Sequence, residues 1–366
     1  MKSNTEKKPY KLITNIFRNK NLENEKMNIT KKKIIWAVDP FAKEQALQRS
    51  TALAIRAITQ RQTAIIEPVY FFSAYFANIP TLKVPEKLLH EMRKAGQARL
   101  NKILNGVELR GIKPLHILSH PNIWLKEGAT LITKIAKAWK ADLIVVSTRA
   151  QRGLKRFTLG SFAETLILNS DFPLLVVNPL WKSKNKLDHI LFATDFSDES
   201  KTAFSEVLKL AKSLSCGVTL FHKVKMDSGT LFQPAFGFDL LYAEAFAYAK
   251  DHAHILGKKW AKEAERMHVP VTVAIDQRWG RSVEDAIFLA MKNKSGIIAM
   301  ASHSGAFETV LIGSTTRKIL RESRFRVWVI HPDPRQVNAT QDPLVVVEES
   351  DIYSNLSHAP RVKRIA

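Results

Sequence analysis

Two aspartates and two Gly-Ser pairs are the residues of this sequence whose type and spacing suggest ligand binding. Asp39 ends the apolar run KIIWAVD, and Asp195 ends the similar run HILFATD. A carboxylate at the end of a strand can accept hydrogen bonds from a small molecule. Gly160-Ser161 and Gly313-Ser314 each precede a segment with helical character. Because free N–H groups and the dipole at a helix N-terminus favour an anion, these residues suggest a site for a polar, anionic ligand.

The segment STRAQRGLKRFTLGS, from Ser147 to Ser161, could form a loop that cradles phosphate, since it follows the apolar run DLIVV. Its cationic side chains could neutralise a phosphate; they are Arg149, Arg152, Lys155 and Arg156. The corresponding second segment, ASHSGAFETVLIGS, carries Glu308 instead. A Gly-Ser pair can also simply begin a helix, and a basic run can be a solvated loop. Both interpretations stay open on the sequence alone.

Motifs of a dedicated enzyme are absent from the sequence. It contains no G-x-S-x-G nucleophile elbow, no G-x-x-x-x-G-K-[ST] phosphate loop and no His or Cys pairs at metal-binding spacing. The single cysteine, Cys216, excludes an internal disulfide and is expected to pack at a helix end rather than to act as a nucleophile. We therefore predict no catalytic residue and no metal site in the protein, and we leave open whether the chain turns over a ligand.

The elements that must position these residues form two similar ladders about 155 residues apart. Asp39 corresponds to Asp195 and Val69 to Val224. Each ladder alternates apolar, β-branched runs with helical patterns, which indicates βαβ units and a parallel sheet covered on both faces. Ser197 and Ser282 are predicted to cap helices. The fold class is therefore α/β, with two tandem doubly wound, Rossmann-like domains.

Domain bounds follow from the ladders and from changes in composition. We predict a basic, mobile tail at residues 1–32, a first domain at 33–180, a linker at 181–188, a second domain at 189–333 and a C-terminal tail at 334–366. Ligands of open α/β sheets bind beyond the carboxyl ends of the strands, at the switch in strand order. That rule places each aspartate beside the loop after the fourth strand of its own domain.

The net charge of +22 raises the question of a nucleic-acid partner. The first 33 residues carry ten Lys and Arg against three Asp and Glu, and the rest of the excess is spread over both halves of the chain. Since no zinc spacing, recognition-helix pattern or basic stripe with aromatics accompanies the charge, we predict no specific nucleic-acid binding. No apolar run reaches the length of a membrane span, and the N-terminus lacks a signal-peptide core, so we expect a cytoplasmic protein.

The repeated strand-end aspartate and the repeated loop-Gly-Ser-helix resemble those of a tandem universal stress protein, over roughly Lys32 to Pro332. The resemblance implies a five-stranded parallel sheet in each domain, with ligand at the switch between the first and fourth strands. It also implies ATP, carrying Mg²⁺, as the ligand to expect if a nucleotide binds. By position, the implied site residues are Asp39, Val69, Ser147, Ala150, Gly160 and Ser161 in the first half, and Asp195, Val224, Ala301, Ser304, Gly313 and Ser314 in the second.

Both loops depart from the family's nucleotide-binding pattern, in which a Gly is followed three residues later by a second Gly and, ten residues after that, by Gly-Ser or Gly-Thr. Ser147 and Ala150 replace the two glycines in the first half, and Ala301 and Ser304 replace them in the second. Glycines in such loops allow positive φ and a close approach of the backbone to phosphate. The first half keeps the full spacing but continues its aspartate with Pro40, whereas the second half keeps TDFS but shortens the loop by one residue.

The main functional prediction is a stress-response binding or signalling module that binds ATP or a related nucleotide at one or both degenerate loops. One alternative is a carrier of an apolar ligand in the C-terminal domain, suggested by the aromatic segment at 231–249; a slow nucleotide hydrolase is another. Helix core and domain packing would also explain the aromatic segment. The resemblance further implies that the two domains pair through their last strands, which are also apolar edges that would otherwise stand unpaired and prone to aggregation. We therefore predict that Leu174 to Val177 pairs antiparallel with Arg326 to Val329 to form an intrachain pseudo-dimer.

Overall fold

A computed structural model describes residues 31–73, 85–120, 125–148, 161–170, 172–178, 187–224, 238–278, 281–292, 296–304, 310–311 and 313–331. The two predicted tails, apart from Lys31 and Lys32, lie outside the described residues, and so does most of the predicted linker. The described part contains twelve strands and eight helices. Within it, no helix combines the length and apolar character that crossing a membrane requires.

The first half alternates strands and helices as the hydrophobic pattern predicts. Its elements are β1 (Lys32–Ala37), α1 (Gln45–Thr59), β2 (Ala64–Ser73), α2 (Glu86–Leu104), β3 (His116–His120), α3 (Leu125–Trp139), β4 (Leu143–Ser147), α4 (Ser161–Asn169) and β5 (Leu174–Val177). The strands β4 and β5 are apolar runs whose residues are almost all buried, as expected for parallel strands that are covered on both faces.

The second half repeats this order with one insertion. Its elements are β6 (His189–Ala193), α5 (Asp198–Leu214), β7 (Gly217–Lys223), α6 (Phe238–Arg266), β8 (Val271–Asp276), α7 (Val283–Ala290), β9 (Gly296–Ala301), β10 (His303–Ser304), β11 (Val310–Leu311), α8 (Ser314–Glu322) and β12 (Arg326–Ile330). The two-residue strands β10 and β11 pair antiparallel and form a small separate sheet. This hairpin occupies the region where the sequence predicted only a loop.

The ten longer strands form one sheet in the order β3-β2-β1-β4-β5-β12-β9-β6-β7-β8. In this sheet all neighbours within each half are parallel, and its single antiparallel pair is β5 with β12. The predicted pairing of these two strands is confirmed, with Val176 opposite Val327 and Leu174 opposite Val329. Each half is therefore a five-stranded doubly wound unit, and β5 and β12 join the halves edge to edge. We call this antiparallel pair the seam.

Helices cover both faces of the sheet, as the predicted fold class requires. One apolar core lies under α1, α2, α5 and α6, and the other lies under α3, α4, α7 and α8. Both cores contain buried side chains from both halves, so each continues across the seam. Cys216 is buried next to the end of α5, and burial raises the pKa of its thiol to about 11. The cysteine therefore packs as predicted.

The two predicted caps in the second half are also present. Ser197 Oγ accepts a hydrogen bond from the Ser200 N–H at 3.2 Å, and Ser282 Oγ accepts one from the Asp285 N–H at 3.1 Å. A hydroxyl that accepts from the first turn satisfies an N–H group that would otherwise lack a partner, so each serine fixes where its helix begins. The cap at Ser197 also matters for the candidate site, since it lies two residues after Asp195.

Candidate functional site

In each half, the switch in strand order lies between the first strand and the fourth. Ala37 of β1 pairs with Val146 of β4, so Asp39, which follows β1, and Ser147, which ends β4, lie at the carboxyl ends of neighbouring strands. In the second half Ala193 of β6 pairs with Met300 of β9, which brings Asp195 and Ala301 to the corresponding edge. The structure thus brings together the strand-end residues that the sequence predicted. We call these two places the first crevice and the second crevice.

In the first crevice, the described polar groups are engaged with their own surroundings. Asp39 Oδ1 accepts a hydrogen bond from the Phe41 N–H at 3.0 Å, which closes a local turn. Ser147 Oγ accepts one from the Gln48 side chain at 3.3 Å, and Gln48 is buried in α1. Gly160 and Ala150 lie outside the described residues, and Ser161 begins α4 as predicted. The hydrogen bond from Gln48 therefore links the end of β4 to α1 through Ser147, which stands where the family's nucleotide-binding members have glycine.

In the second crevice, three donors converge on one oxygen of Asp195. Its Oδ1 atom accepts hydrogen bonds from the Ser197 N–H at 3.0 Å, the Ser197 hydroxyl at 2.7 Å and the Ser200 hydroxyl at 2.7 Å. Asp195 is nevertheless solvent-exposed. The carboxylate lies beside the N-terminus of α5, where the helix dipole attracts negative charge. Asp195 is thus an exposed acceptor with a fixed orientation.

An aromatic wall follows directly after this aspartate. Phe196 adopts a left-handed backbone conformation, with φ of 63°, which is uncommon for a residue other than glycine. Its ring centroid lies 5.0 Å from that of His222 and 5.1 Å, edge to face, from that of Trp260. His222 Nδ1 lies 2.8 Å from the Thr194 carbonyl oxygen, so this nitrogen must carry the proton and donate it. Phe196, in its left-handed conformation, thus forms a partly buried aromatic surface with His222 and Trp260 beside Asp195.

An ionic cluster occupies the ends of β7 and β8. The buried Asp276 carboxylate forms ion pairs with Lys223 at 3.5 Å and with the Arg278 guanidinium. Hydrogen bonds from Arg278, which outweigh the opposing effect of burial, lower the pKa of Asp276 to about 2. Lys223 Nζ also donates to the Arg278 carbonyl oxygen at 2.8 Å. Lys223 is therefore held within this cluster.

In the second half, the described ends of the segment predicted to be a loop belong to short strands and to a helix start. Ala301 ends β9 and is buried, and Ser304 pairs with Val310 in the hairpin of β10 and β11. Gly313 is the N-cap of α8 and makes no side-chain cap, and the exposed Ser314 is the first helical residue. The first turn of α8 therefore offers backbone N–H groups to an anion. Two-residue strands have no periodic pattern, so no sequence signal could have revealed the hairpin.

The register of the sheet changes one of the predicted correspondences. Val69 lies inside β2 at the level of Ala37, and the Val38 N–H donates to its carbonyl oxygen at 2.9 Å. The equivalent donor in the second half, the Thr194 N–H, bonds to the Phe221 carbonyl oxygen. Phe221, not Val224, is therefore the counterpart of Val69. The β1–β2 connection is longer than the β6–β7 connection, and a fixed offset along the sequence could not account for this difference.

Sequence reasoning also missed two buried polar pairs near the strand ends. Ser302 Oγ lies 2.7 Å from His331 Nδ1, directly after β9 and β12, and burial lowers the pKa of His331 to about 4. In the first half, the Nε2 atom of the half-buried His116 lies 2.9 Å from the buried carboxylate of Glu67. Neither pair has a spacing that marks it in the sequence, because each depends on two neighbouring strands.

Comparisons with known proteins agree with this architecture. The model of the universal stress protein family matches residues 31–178 and again residues 186–331. A universal stress protein of Methanocaldococcus jannaschii is 34% identical over 102 residues, which are 28% of this chain and 57% of that relative's length.

Among solved structures, a universal stress protein from Archaeoglobus fulgidus aligns with a TM-score of 0.55 and 16% identity, covering 82% of this chain and 98% of that one. A universal stress protein solved in complex with cAMP covers 41% of this chain and 98% of its own, at 16% identity and a TM-score of 0.25. The structural matches concern the fold alone. The family match extends over most of the sequence in two consecutive copies, and the chain therefore belongs to the universal stress protein family.

Proposed function

We propose that this stress protein binds a nucleotide such as ATP in its second crevice. The observation that carries the proposal is Asp195, an exposed carboxylate whose Oδ1 atom is fixed by three donors. With Oδ1 held in this way, the second carboxylate oxygen, Oδ2, would meet the hydroxyl groups of a ribose in a fixed orientation, so that no side-chain freedom has to be lost on binding. The partly buried rings of Phe196 and His222 beside it offer an apolar surface of the kind that a base can contact.

The phosphate groups would lie toward α8. Its N-cap, Gly313, leaves the first-turn N–H groups without a side-chain cap, and these groups suit an anion. Within the described part of the chain, no cluster of three or more acidic, His or Cys side chains could hold a metal ion. A Mg²⁺ ion would therefore be held mainly by the phosphates, which is its usual mode in nucleotide sites. The second crevice thus fits a nucleotide that carries its own metal.

The first crevice supports nucleotide binding less directly. Its serine at the glycine position, Ser147, is tied to Gln48 of α1, and Asp39 is followed by Pro40. Its basic loop residues lie outside the described residues. We keep a second nucleotide site there as the weaker form of the proposal, and a cytoplasmic location stays a prediction from the sequence.

Calorimetric titration of the full chain with Mg·ATP tests the proposal. We expect Asp195→Ala to weaken binding at least about tenfold, since a charge-assisted hydrogen bond is lost. The matched control is Asp39→Ala, the same change at the equivalent residue of the first half, which should leave the affinity unchanged. If Asp39→Ala alone abolishes binding, the ligand occupies the first crevice. If the folded parent chain shows no heat at millimolar ATP, the proposal fails.

Restoring the family glycines gives a separate test of the first crevice. The pair Ser147→Gly and Ala150→Gly should create or strengthen ATP binding there, because it frees the backbone to approach phosphate. Gly160→Val should abolish any such gain. The gain is the informative result, since damage anywhere in a protein can remove binding. No binding by the folded double-glycine chain in an Asp195→Ala background would exclude a site in the first loop.

The two alternative functions predict different results. Native mass spectrometry of the purified chain would show a copurified lipid-like mass for an apolar carrier, and phosphate release would show a hydrolase. In the described part of the aromatic segment, residues 243–249 are exposed or half-exposed, and Tyr248 is 73% exposed. That part of the segment lies at the surface, so we favour the nucleotide proposal over the carrier.

A further inference from the structure

The helix α6 extends well beyond the domain that it covers. It has 29 residues, whereas its counterpart α2 in the first half has 19. Among residues 243–266, the part of the helix whose burial the structure describes, the buried residues are Ala253, Gly257, Trp260 and Ala264, which follow one another at spacings of four, three and four and so form a single face. Residues 243–252 are all exposed or half-exposed. The N-terminal part of α6 therefore projects past the packed surface.

The face of α6 opposite this buried stripe is apolar at its centre. Tyr248 and Ile255 are 73% and 63% exposed, which makes them the most exposed large hydrophobic residues of the described part of the chain. They lie seven residues apart, hence about two turns along the same side of the helix. His252 lies between them, and its ring stacks on Tyr248 with centroids 6.0 Å apart. Two such exposed side chains on one helical face indicate an interaction surface.

The charges along this face change sign from one end to the other. Glu244 lies toward the N-terminal end, Asp251 lies at the centre, and Lys259 and Lys262 lie toward the C-terminal end; all four are exposed. If a second copy of α6 lies antiparallel, with the two-fold axis midway between Tyr248 and Ile255, Tyr248 of each copy faces Ile255 of the other. The same symmetry places Glu244 opposite Lys259. A parallel arrangement would instead bring like charges together, so the pattern is self-complementary only when the helices run antiparallel.

We propose that this face, defined by Glu244, Tyr248, Asp251, His252, Ile255 and Lys259, docks antiparallel against the same face of a second copy of this chain. The contact is isologous, because each copy contributes the same six residues. One helix per partner buries less surface than a standard stable interface, so the dimer is a weak one with a dissociation constant in the micromolar range or above. The proposal concerns neither crevice and does not depend on nucleotide binding.

Analytical ultracentrifugation of the full chain, from about 1 to 300 µM without nucleotide, tests the proposal. We expect a monomer–dimer equilibrium that Glu244→Lys alone and Lys259→Glu alone each weaken at least about tenfold, because each change sets like charges opposite one another. The chain carrying both changes should return to the parent affinity, since the pairs are re-formed with reversed sign. The matched control is Lys94→Glu, the same charge reversal at an exposed position of the counterpart helix α2, which should leave the equilibrium unchanged.

Circular dichroism spectra would establish that each variant keeps its helix content. A parent chain that stays monomeric at 300 µM overturns the proposal. A dimer that none of the α6 changes affects also overturns it, because another surface must then hold the copies together. Failure of the double variant to recover the affinity of the parent excludes the antiparallel register. Recovery in the double variant supports it, since loss of folding or a general charge effect could not produce a gain.

Discussion

Trp328 lies directly opposite Leu175 in the antiparallel ladder of the seam. Both side chains are buried, and both belong to the core that lies under α1 and α5. Because this contact joins the halves, we expect Trp328→Ala to lower the free energy of unfolding by about 3–5 kcal/mol. Urea unfolding followed by circular dichroism would measure the loss. Tyr248→Ala, at an exposed position, is the control and should change stability by no more than about 0.5 kcal/mol. Equal stability of the two variants would show that the seam is not a shared core.

The glycines that flank His189 on the two neighbouring strands provide a matched pair. A Cβ at Gly296 would lie 2.0 Å from the His189 carbonyl oxygen, whereas a Cβ at Gly217 would have its nearest contact at 3.7 Å, an ordinary van der Waals distance. We expect Gly296→Ala to lower the free energy of unfolding by about 2 kcal/mol or more, because backbone must move. Gly217→Ala should be close to neutral. Thermal melts of both variants would decide, and equal melting temperatures would contradict the expected clash.

His331, whose Nε2 atom is buried, should make stability depend on pH in mildly acidic solution. Burial lowers the pKa of His331 in the folded chain to about 4, from 6.5. Between these values the unfolded chain binds the extra proton more readily, so stability decreases as the pH falls from about 6.5 to 4. His331→Asn introduces the residue type found at the equivalent position, Asn178, and should flatten this dependence. Melting temperatures of both chains at pH 8, 6 and 4.5 would test it. Parallel curves would contradict the expectation.

The ion pairs of Asp276 should make stability decrease with falling pH in a more acidic range than His331 does. Its pKa is about 2 in the folded chain, against 3.8 for an ordinary aspartate, so its ion pairs stabilise the fold above pH 4 and are lost as the pH falls toward 2. We expect Asp276→Asn to lower the free energy of unfolding by about 1–2 kcal/mol at pH 7, a value reduced by the solvent exposure of Arg278. Urea titrations at pH 7, 4 and 2.5 should show this difference shrinking. A constant difference would mean that packing, not charge, is responsible.

Much of the fold could be predicted from the sequence because its signals are local and repeated. The buried strands are apolar runs such as LIVVS in β4 and GIIAMA in β9, and the helix starts at Ser197 and Ser282 carry capping hydroxyls. The pairing of β5 with β12 was also predicted, because the resemblance to universal stress proteins implies it and unpaired apolar edges favour it. These features depend on only a few neighbouring residues or on a simple symmetry.

The candidate site was less predictable because its geometry depends on register and on side-chain packing. Phe221 replaces Val224 as the counterpart of Val69 only when the strands are aligned by their hydrogen bonds. The convergence of Ser197 and Ser200 on Asp195 requires the turn that the left-handed Phe196 creates. Neither a spacing nor a composition contains this information.

The antiparallel seam has a consequence for how the molecule can meet its surroundings. The strands of the first half run antiparallel to those of the second half. The carboxyl ends of β1 and β4 therefore point to one side of the sheet, along the strand direction, and those of β6 and β9 point to the opposite side. The two crevices therefore open away from each other. A partner with a flat surface cannot contact the openings of both crevices at once. A ligand bound in the first crevice cannot touch a ligand bound in the second. The two openings face in opposite directions, and any coupling between a ligand in one crevice and a ligand in the other must pass through the sheet.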